Sequence, residues 1–148
     1  MNSLEFQKCL ENKKIKPFPK GKTLVSKELE IAGDDWKIAK ESLNKKNYKW
    51  SIIQSYYSMF HAARALLYNQ GYREKSHYCL VVGIRKLYVN KNLLGHTLIE
   101  ALQLGKTLRE NADYYADFSQ TGAKNMLDKA KEFLEKTKEI LSTYENQT

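Results

Sequence analysis

Two histidines and two arginines fall close together in the middle of the chain. His61 and Arg64 are three residues apart, and Arg73 and His77 are four residues apart. A histidine near its titration range can take the proton of a ribose 2′-hydroxyl or protonate a leaving oxygen. An arginine can stabilise the charge on phosphoryl oxygens. The combination predicts phosphodiester cleavage without a metal ion, with His77 as acid or base and Arg73 as phosphate clamp.

The same residues also allow structural interpretations, which the sequence leaves open. His61 can be a hydrogen-bonded core histidine, Arg64 an ion-pair or interface residue, and His77 simply the first residue of a helix. The candidates for supporting or binding roles are Tyr57, His61, Arg64, Arg109, Asp113 and Tyr114. Arg109 and Asp113 are one helical turn apart, so they can equally form a plain intrahelical pair.

Other chemistries find no support in the sequence. The GKT triplets at Gly21 and Gly105 lack the earlier glycine that a phosphate-binding loop requires. No spacing of histidines and cysteines suggests a metal site, and no cofactor is expected. Cys9 and Cys79 are interpreted as small apolar residues in a reducing compartment rather than as a disulfide.

A long apolar stretch from Trp50 to Gly71 must position His61 and Arg64. Apolar residues recur in it at steps of three and four along two neighbouring stripes, which predicts a central helix with partners on more than one side. Asn47 is expected to cap the start of this helix, and Gly71 is expected to close its end.

The segment from Tyr56 to Leu67, YYSMFHAARALL, resembles the second core helix of HEPN domains, and is closest to their small stand-alone branch. The resemblance extends over roughly residues 24 to 144. It implies an up-and-down helical bundle, usually dimeric. Many HEPN domains are metal-independent ribonucleases in which an arginine is followed, after four to six residues, by a histidine. Here only three residues separate Arg73 from His77, and Glu74 stands where a small polar residue is usual.

The remaining segments complete a mostly helical chain. Residues 3–12 predict a short helix and residues 13–22 a basic loop, either a tether or a phosphate contact. Further helices are expected over residues 24–44, 77–89 and 97–115, and after Gly122. Ser76 is expected to cap the second of these, and a capping box at Thr97 is expected to start the third. Gly33 within the first long helix is expected to mark a close approach. The fold class is therefore all-α, an antiparallel bundle of four to five helices (24–145) behind an N-terminal extension (1–23).

The composition favours an anionic partner. The formal charge is +8, with 21 lysines and only 4 arginines. Such a surface suits RNA, a nucleotide or an acidic protein, although a solvated lysine-rich surface has the same composition. No apolar run reaches the roughly 18 residues of a membrane span, so a cytoplasmic protein without membrane contact is expected.

The resemblance adds expectations about function. It implies a toxin–antitoxin or defence pair that acts on RNA or a nucleotide, a small nucleotidyltransferase as partner and a homodimer. The short spacing between Arg73 and His77 favours the alternative, a non-catalytic helical module that binds such a partner through an apolar helix face.

Overall fold

The structure, a computed structural model, describes residues 3–111 and 118–145. In chain order its elements are α1 (Ser3–Glu11), β1 (Ile15–Pro17), α2 (Gly21–Asn44), α3 (Tyr48–Asn69), β2 (Tyr72–Glu74), α4 (His77–Ile84), a π-helical turn (Arg85–Val89), α5 (His96–Glu110) and α6 (Gln120–Glu145). The predicted all-α bundle is confirmed. The described residues contain one sheet, the short antiparallel pair of β1 and β2.

The central helix α3 packs against α2, α5 and α6, as its two apolar stripes predict. Its contact with α2 is close because small residues line it. Ser58 Oγ donates to the carbonyl of Ala32 at 2.8 Å, and Ser51 Oγ donates to that of Ala39 at 2.8 Å. Rising residue numbers on one helix meet falling numbers on the other, so the two helices are antiparallel. Within the described ranges, no helix is long and apolar enough to cross a membrane.

The ends of the helices confirm some of the predicted caps and correct others. Ser76 Oγ accepts from the Cys79 N–H at 3.1 Å, and Gly71 closes α3 with a φ of +80°. Asn47 makes no side-chain capping bond, and α5 begins at His96 without the predicted capping box at Thr97. Backbone conformation decides these ends, because a cap needs both the right residue and the right φ and ψ.

Gly33 does not mark a close approach. A Cβ added there would meet no atom within 4 Å, whereas one added at Gly105 of α5 would lie 3.1 Å from the Cβ of Tyr56. Gly105 therefore marks a close approach between α5 and α3. A helical pattern alone does not show which glycine faces a neighbour.

The expected basic loop is partly a strand. Ile15 to Pro17 pairs with Tyr72 to Glu74, with Lys16 opposite Arg73, and α2 already begins at Gly21. Ile15 is buried, Lys16 is half-buried and Pro17 is exposed, so the strand passes from the core to the surface within three residues. Strand pairing between segments some 57 residues apart leaves little trace in so short a pattern.

Cys9 and Cys79 form a disulfide, so the expectation that they are separate reduced residues is wrong. Helix α1 lies against α4 and brings the two residues together, although 70 residues separate them in the chain. With one pair at this distance, spacing alone does not reveal the contact. The inference of a reducing compartment from unpaired cysteines consequently has no basis.

The π-helical turn follows directly after α4. Tyr88, inside this turn, is fully buried, and its hydroxyl donates to the carbonyl of Leu66 on α3 at 2.6 Å. The N–H of Asn90 donates to the carbonyl of Arg85 at 2.8 Å, the five-residue step of a π-helix. This turn fixes the end of α4 against the central helix.

Candidate functional site

Five of the predicted residues fall into two clusters on different sides of α3: His61 and Arg64 in the first, and Tyr57, His77 and Arg109 in the second. We call the first the carboxylate cluster: Glu28, Asp35, His61, Arg64 and Glu74. His61 Nδ1 lies 2.6 Å from Glu28 Oε2, and its Nε2 lies 4.0 Å from Asp35 Oδ2. Burial raises the pKa of Asp35, and the neighbouring His61 opposes that shift. His61 is thus held between two carboxylates of α2.

Arg64 joins the carboxylate cluster to the strand β2. Its Nε donates to both carboxylate oxygens of Glu74, at 3.0 and 3.3 Å, and its Nη1 lies 3.9 Å from Glu28 Oε1. Burial raises the pKa of Glu74, and Arg64 partly offsets that effect. Glu74, which stands where a small polar residue is usual in the family, faces inward and is bound by Arg64, so its carboxylate lies away from the exposed side of Arg73.

The carboxylate cluster holds α2, α3 and β2 together. Its two basic side chains are each bound to a carboxylate, so the ion-pair interpretation of Arg64 and the hydrogen-bonded interpretation of His61 both match the contacts. Among the described residues, no group of histidines, cysteines and carboxylates could hold a metal ion.

We call the second cluster the tyrosine–histidine cluster: Tyr56, Tyr57, His77 and Arg109. His77 Nδ1 lies 3.1 Å from the hydroxyl of Tyr56. Burial raises the pKa of Tyr56 to about 12. Burial, aided by the positive charge of Lys106, lowers the pKa of His77 to about 4. Near neutral pH, the cluster therefore holds a neutral imidazole beside a protonated phenol.

Arg109 on α5 covers the two tyrosines. Its Nη1 donates to the Tyr57 hydroxyl at 3.2 Å, and its guanidinium carbon lies 5.6 Å from the centre of each tyrosine ring. Gly105, one turn earlier, lets α5 approach Tyr56 closely. A fixed positive charge is thereby placed near the imidazole of His77.

A cleft of about 220 Å³ opens between α4 and α5 at this cluster. It is lined by His77, Tyr78, Val81, Gln103, Lys106, Thr107 and Glu110. The Nε2 atom of His77 is buried and has no hydrogen-bond partner among the described residues. A ring nitrogen without a partner, beside an ammonium group, can exchange a proton with an anionic ligand that enters the cleft.

Arg73 lies in a different environment from His77. Its guanidinium carbon is 5.0 Å from the ring centre of Phe18, and it stands opposite Lys16 in the two-stranded sheet. The contacts of the described residues do not bring Arg73 and His77 together. Asp113 and Tyr114 lie outside the described residues.

Sequence reasoning missed Tyr56, Lys106 and the two acids of α2. Glu28 and Asp35 are seven residues apart on the side of α2 that also carries the buried Ala32. An acid on an otherwise apolar helical stripe is a signal that could have identified them, since a buried carboxylate needs a partner. Lys106 carries no such signal, because exposed lysines occur throughout the chain.

Comparisons with known proteins found one family model and two similar proteins. The model of the HEPN domain matches residues 25–147. A protein of Methanocaldococcus jannaschii named "Putative toxin MJ0142" is 29% identical over 119 residues, covering 79% of this chain and 81% of the relative. A second protein of that organism, named "Putative toxin MJ0605", is 26% identical over 114 residues, covering 76% of this chain and 85% of the relative.

Proposed function

Because the chain belongs to the HEPN domain family, we propose that it is a toxin-type protein that cleaves RNA without a metal ion. The names of the two archaeal relatives support the toxin role. The observation that carries the proposal is His77, whose Nε2 lies unpartnered at a cleft beside Lys106.

In the proposed reaction, Tyr56 orients the imidazole. Its hydroxyl oxygen accepts the Nδ1 proton of His77, which leaves a lone pair on Nε2 that can act as the base. Nε2 takes the proton of the ribose 2′-hydroxyl, the 2′-oxygen bonds to phosphorus, and the bond from phosphorus to the 5′-oxygen breaks. The 5′-oxygen receives a proton from water, and the protonated imidazole returns its proton to solvent.

Both the positive side chains near the cleft and the negative charge of a bound phosphate assist this cleavage step. Lys106 and Arg109 bring positive charge to the cleft, although Lys106 is paired with Glu110 at 3.7 Å in the free chain. A phosphate that takes the place of Glu110 beside Lys106 would be stabilised as negative charge develops on its oxygens. A bound phosphate also opposes the burial effect, since a nearby anion favours the charged form of a histidine. The pKa of His77 then rises from about 4, and the imidazole becomes a better base. The RNA must open the cleft, because Nε2 is covered in the free chain.

The remaining assignments belong to the same proposal. Arg73 binds a phosphate of the RNA other than the one that is cleaved, since its contacts lie on the sheet. Residues 24–145 form the HEPN bundle and residues 1–23 an extension. The protein acts in the cytoplasm as a homodimer, and a small nucleotidyltransferase is its antitoxin partner.

The second candidate is a non-catalytic module that binds a nucleotidyltransferase or another protein. The separate environments of Arg73 and His77 favour it, because the arginine and histidine of the predicted cleavage pair do not meet. A groove of about 550 Å³ between α5 and α6, with Leu104 half exposed beside it, offers an apolar helix face of the kind such a module would use.

Cleavage of a mixed RNA pool in EDTA separates the two candidates. The native protein is compared with His77→Ala and with His96→Ala, which removes an exposed histidine at the start of α5. Cleavage that survives the chelator, persists in His96→Ala and disappears in folded His77→Ala supports the ribonuclease. Absence of cleavage by the native protein at every pH between 5 and 8 refutes it for the isolated chain and favours the binding module.

A further inference from the structure

Five basic residues crowd the outward face of the two-stranded sheet, and we call them the basic ribbon: Lys13, Lys14, Lys16, Arg73 and Lys75. Lys16 stands directly opposite Arg73 in the register of the strands. The pairing continues one step further, since the N–H of Lys75 donates to the carbonyl of Lys14 at 2.8 Å. The side chain of Lys75 approaches that of Lys16 and is the main cause that lowers the pKa of Lys16.

This arrangement is unfavourable for the free protein. Like charges directly opposite each other in a sheet destabilise it. None of the five cations forms an ion pair with a carboxylate among the described residues. Glu74, the acid within β2, lies on the opposite face and is bound by Arg64. Arg73 is partly compensated by the charge of Glu74 and by the ring of Phe18, but the four lysines have no ion-pair partner among the described residues, and an external anion would relieve their repulsion.

The sheet is held firmly in spite of this repulsion. Ile15 is only 1% exposed and packs with Phe6, Cys9, Cys79 and Val82. The disulfide ties α1, which precedes β1, to α4. Arg73 rests on the ring of Phe18. Anchors of this kind pre-organise the cations and lower the entropic cost of binding a ligand.

The chemistry of the ribbon suits phosphates better than a protein partner. Protein interfaces are depleted in lysine and depend on apolar or aromatic anchors. The large apolar side chains that are exposed within the described ranges lie outside β1 and β2. A nucleic-acid backbone, by contrast, is bound chiefly through lysine and arginine.

We infer that the basic ribbon binds the phosphate backbone of single-stranded RNA, at a distance from the cleavage site. The inference rests on the proposed function, because it takes RNA as the substrate. The HEPN match begins at residue 25, so β1 and its lysines precede the matched region. The ribbon thus combines lysines of the N-terminal extension with Arg73 and Lys75 of the matched region.

Binding is tested by fluorescence anisotropy with a labelled 20-nucleotide single-stranded RNA carrying 2′-O-methyl groups, which the native protein cannot cleave through a 2′-hydroxyl. The ribbon variant removes three charges: Lys16→Gln, Arg73→Gln and Lys75→Gln. The matched control removes three exposed charges elsewhere: Lys91→Gln, Lys124→Gln and Lys138→Gln. Thermal unfolding of both variants checks that they fold, and relief of repulsion should offset the loss of the contact between Arg73 and Phe18 in the ribbon variant.

The salt dependence gives the expected size of the effect. Each phosphate contact with a single strand contributes about 0.7 to the slope of log affinity against log salt concentration, so losing three should lower the slope by about 2. The control should keep the native slope. Equal losses in both variants, or an unchanged ribbon variant, would overturn the inference. Tighter binding of polyglutamate than of RNA would overturn it in favour of an acidic protein.

The two proposals fail separately. If the ribbon variant binds RNA normally and the native protein still cleaves unmodified RNA through His77, only the ribbon assignment is wrong. If the ribbon variant loses binding while neither it nor the native protein ever cleaves, the ribbon assignment stands and the ribonuclease proposal is wrong.

Discussion

Replacing His77 with glutamine should make the protein more resistant to acid. Glutamine keeps a polar side chain of similar reach toward Tyr56 but does not titrate. In the folded protein the pKa of His77 is about 4, against about 6.5 for an unfolded histidine. The unfolded chain therefore takes up a proton at a higher pH than the folded one. Stability is lost as the pH falls through this interval, from above 6.5 toward 4.

The magnitude follows from the two pKa values. At pH 7.5 the difference in proton binding contributes almost nothing, whereas at pH 4.5 it lowers the free energy of unfolding by about 2.5 kcal/mol if the shift is taken in full. The imidazole is only partly buried, so solvent screening reduces the effect, and we expect about half of it, about 1.3 kcal/mol. His77→Gln should escape this loss.

Urea denaturation of both proteins at pH 7.5, 5.5 and 4.5 measures the effect. The quantity of interest is the native-minus-variant free energy of unfolding at each pH, relative to its value at pH 7.5. Other titrating groups, including the buried carboxylates, are the same in both proteins and cancel. A relative difference that stays within 0.3 kcal/mol of zero down to pH 4.5 would show that the imidazole is not held neutral by burial, and the assignment of His77 as a base would lose its physical support.

Three further outcomes follow from the packing. Arg64→Met should lower the free energy of unfolding in urea by about 3 kcal/mol, because Glu74 stays buried without its partner, and adding Glu74→Gln should restore part of the loss; a double variant no more stable than the single one would contradict this. Gly105→Ala should lower the free energy of unfolding by about 1 to 2 kcal/mol, because the new Cβ would crowd Tyr56. Gly33→Ala should raise it by up to about 1 kcal/mol, since the site is open. Thermal unfolding measures both, and equal effects at the two sites would refute the assigned contact. The disulfide closes a loop of 70 residues, so reducing it should lower the free energy of unfolding by about 4 kcal/mol in the loop-closure model. Denaturation with and without dithiothreitol measures this loss. An unchanged midpoint would mean that packing alone holds α1.

Helical periodicity is sufficient to predict the bundle, because in long amphipathic helices the buried residues recur with the period of the helix. Helix α3 shows this, since its apolar stripes predicted both its course and its central place. The two short strands escaped prediction, because three residues are too few for an alternation to stand out. The disulfide escaped as well, because it depends on how α1 folds back onto α4 and not on spacing.

The candidate site was predictable in residue type but not in grouping. His61, Arg64 and His77 are each identifiable from the sequence. Their spacing does not show that the first two meet the carboxylates of Glu28 and Glu74, while His77 meets Tyr56 on another side of α3. Glu74 illustrates the cause. Neighbouring residues of a strand point to opposite faces of the sheet, so Arg73 points to solvent and Glu74 to the core.

The π-helical turn at Arg85–Val89 sets the angular position of everything before it in α4. An α-helix turns about 100° per residue, and a π turn absorbs one extra residue without passing that rotation on. With Tyr88 anchored on α3, deleting one residue from the turn ahead of it would leave an ordinary α-helical turn and keep the start of α4 in place. Deleting one residue within α4 itself would instead rotate its start by roughly 100°. His77 would then leave Tyr56, and Cys79 would leave Cys9. The rotation of one helix thus aligns both the imidazole and the disulfide, and the π-helical turn is where the chain tolerates a change of one residue in length.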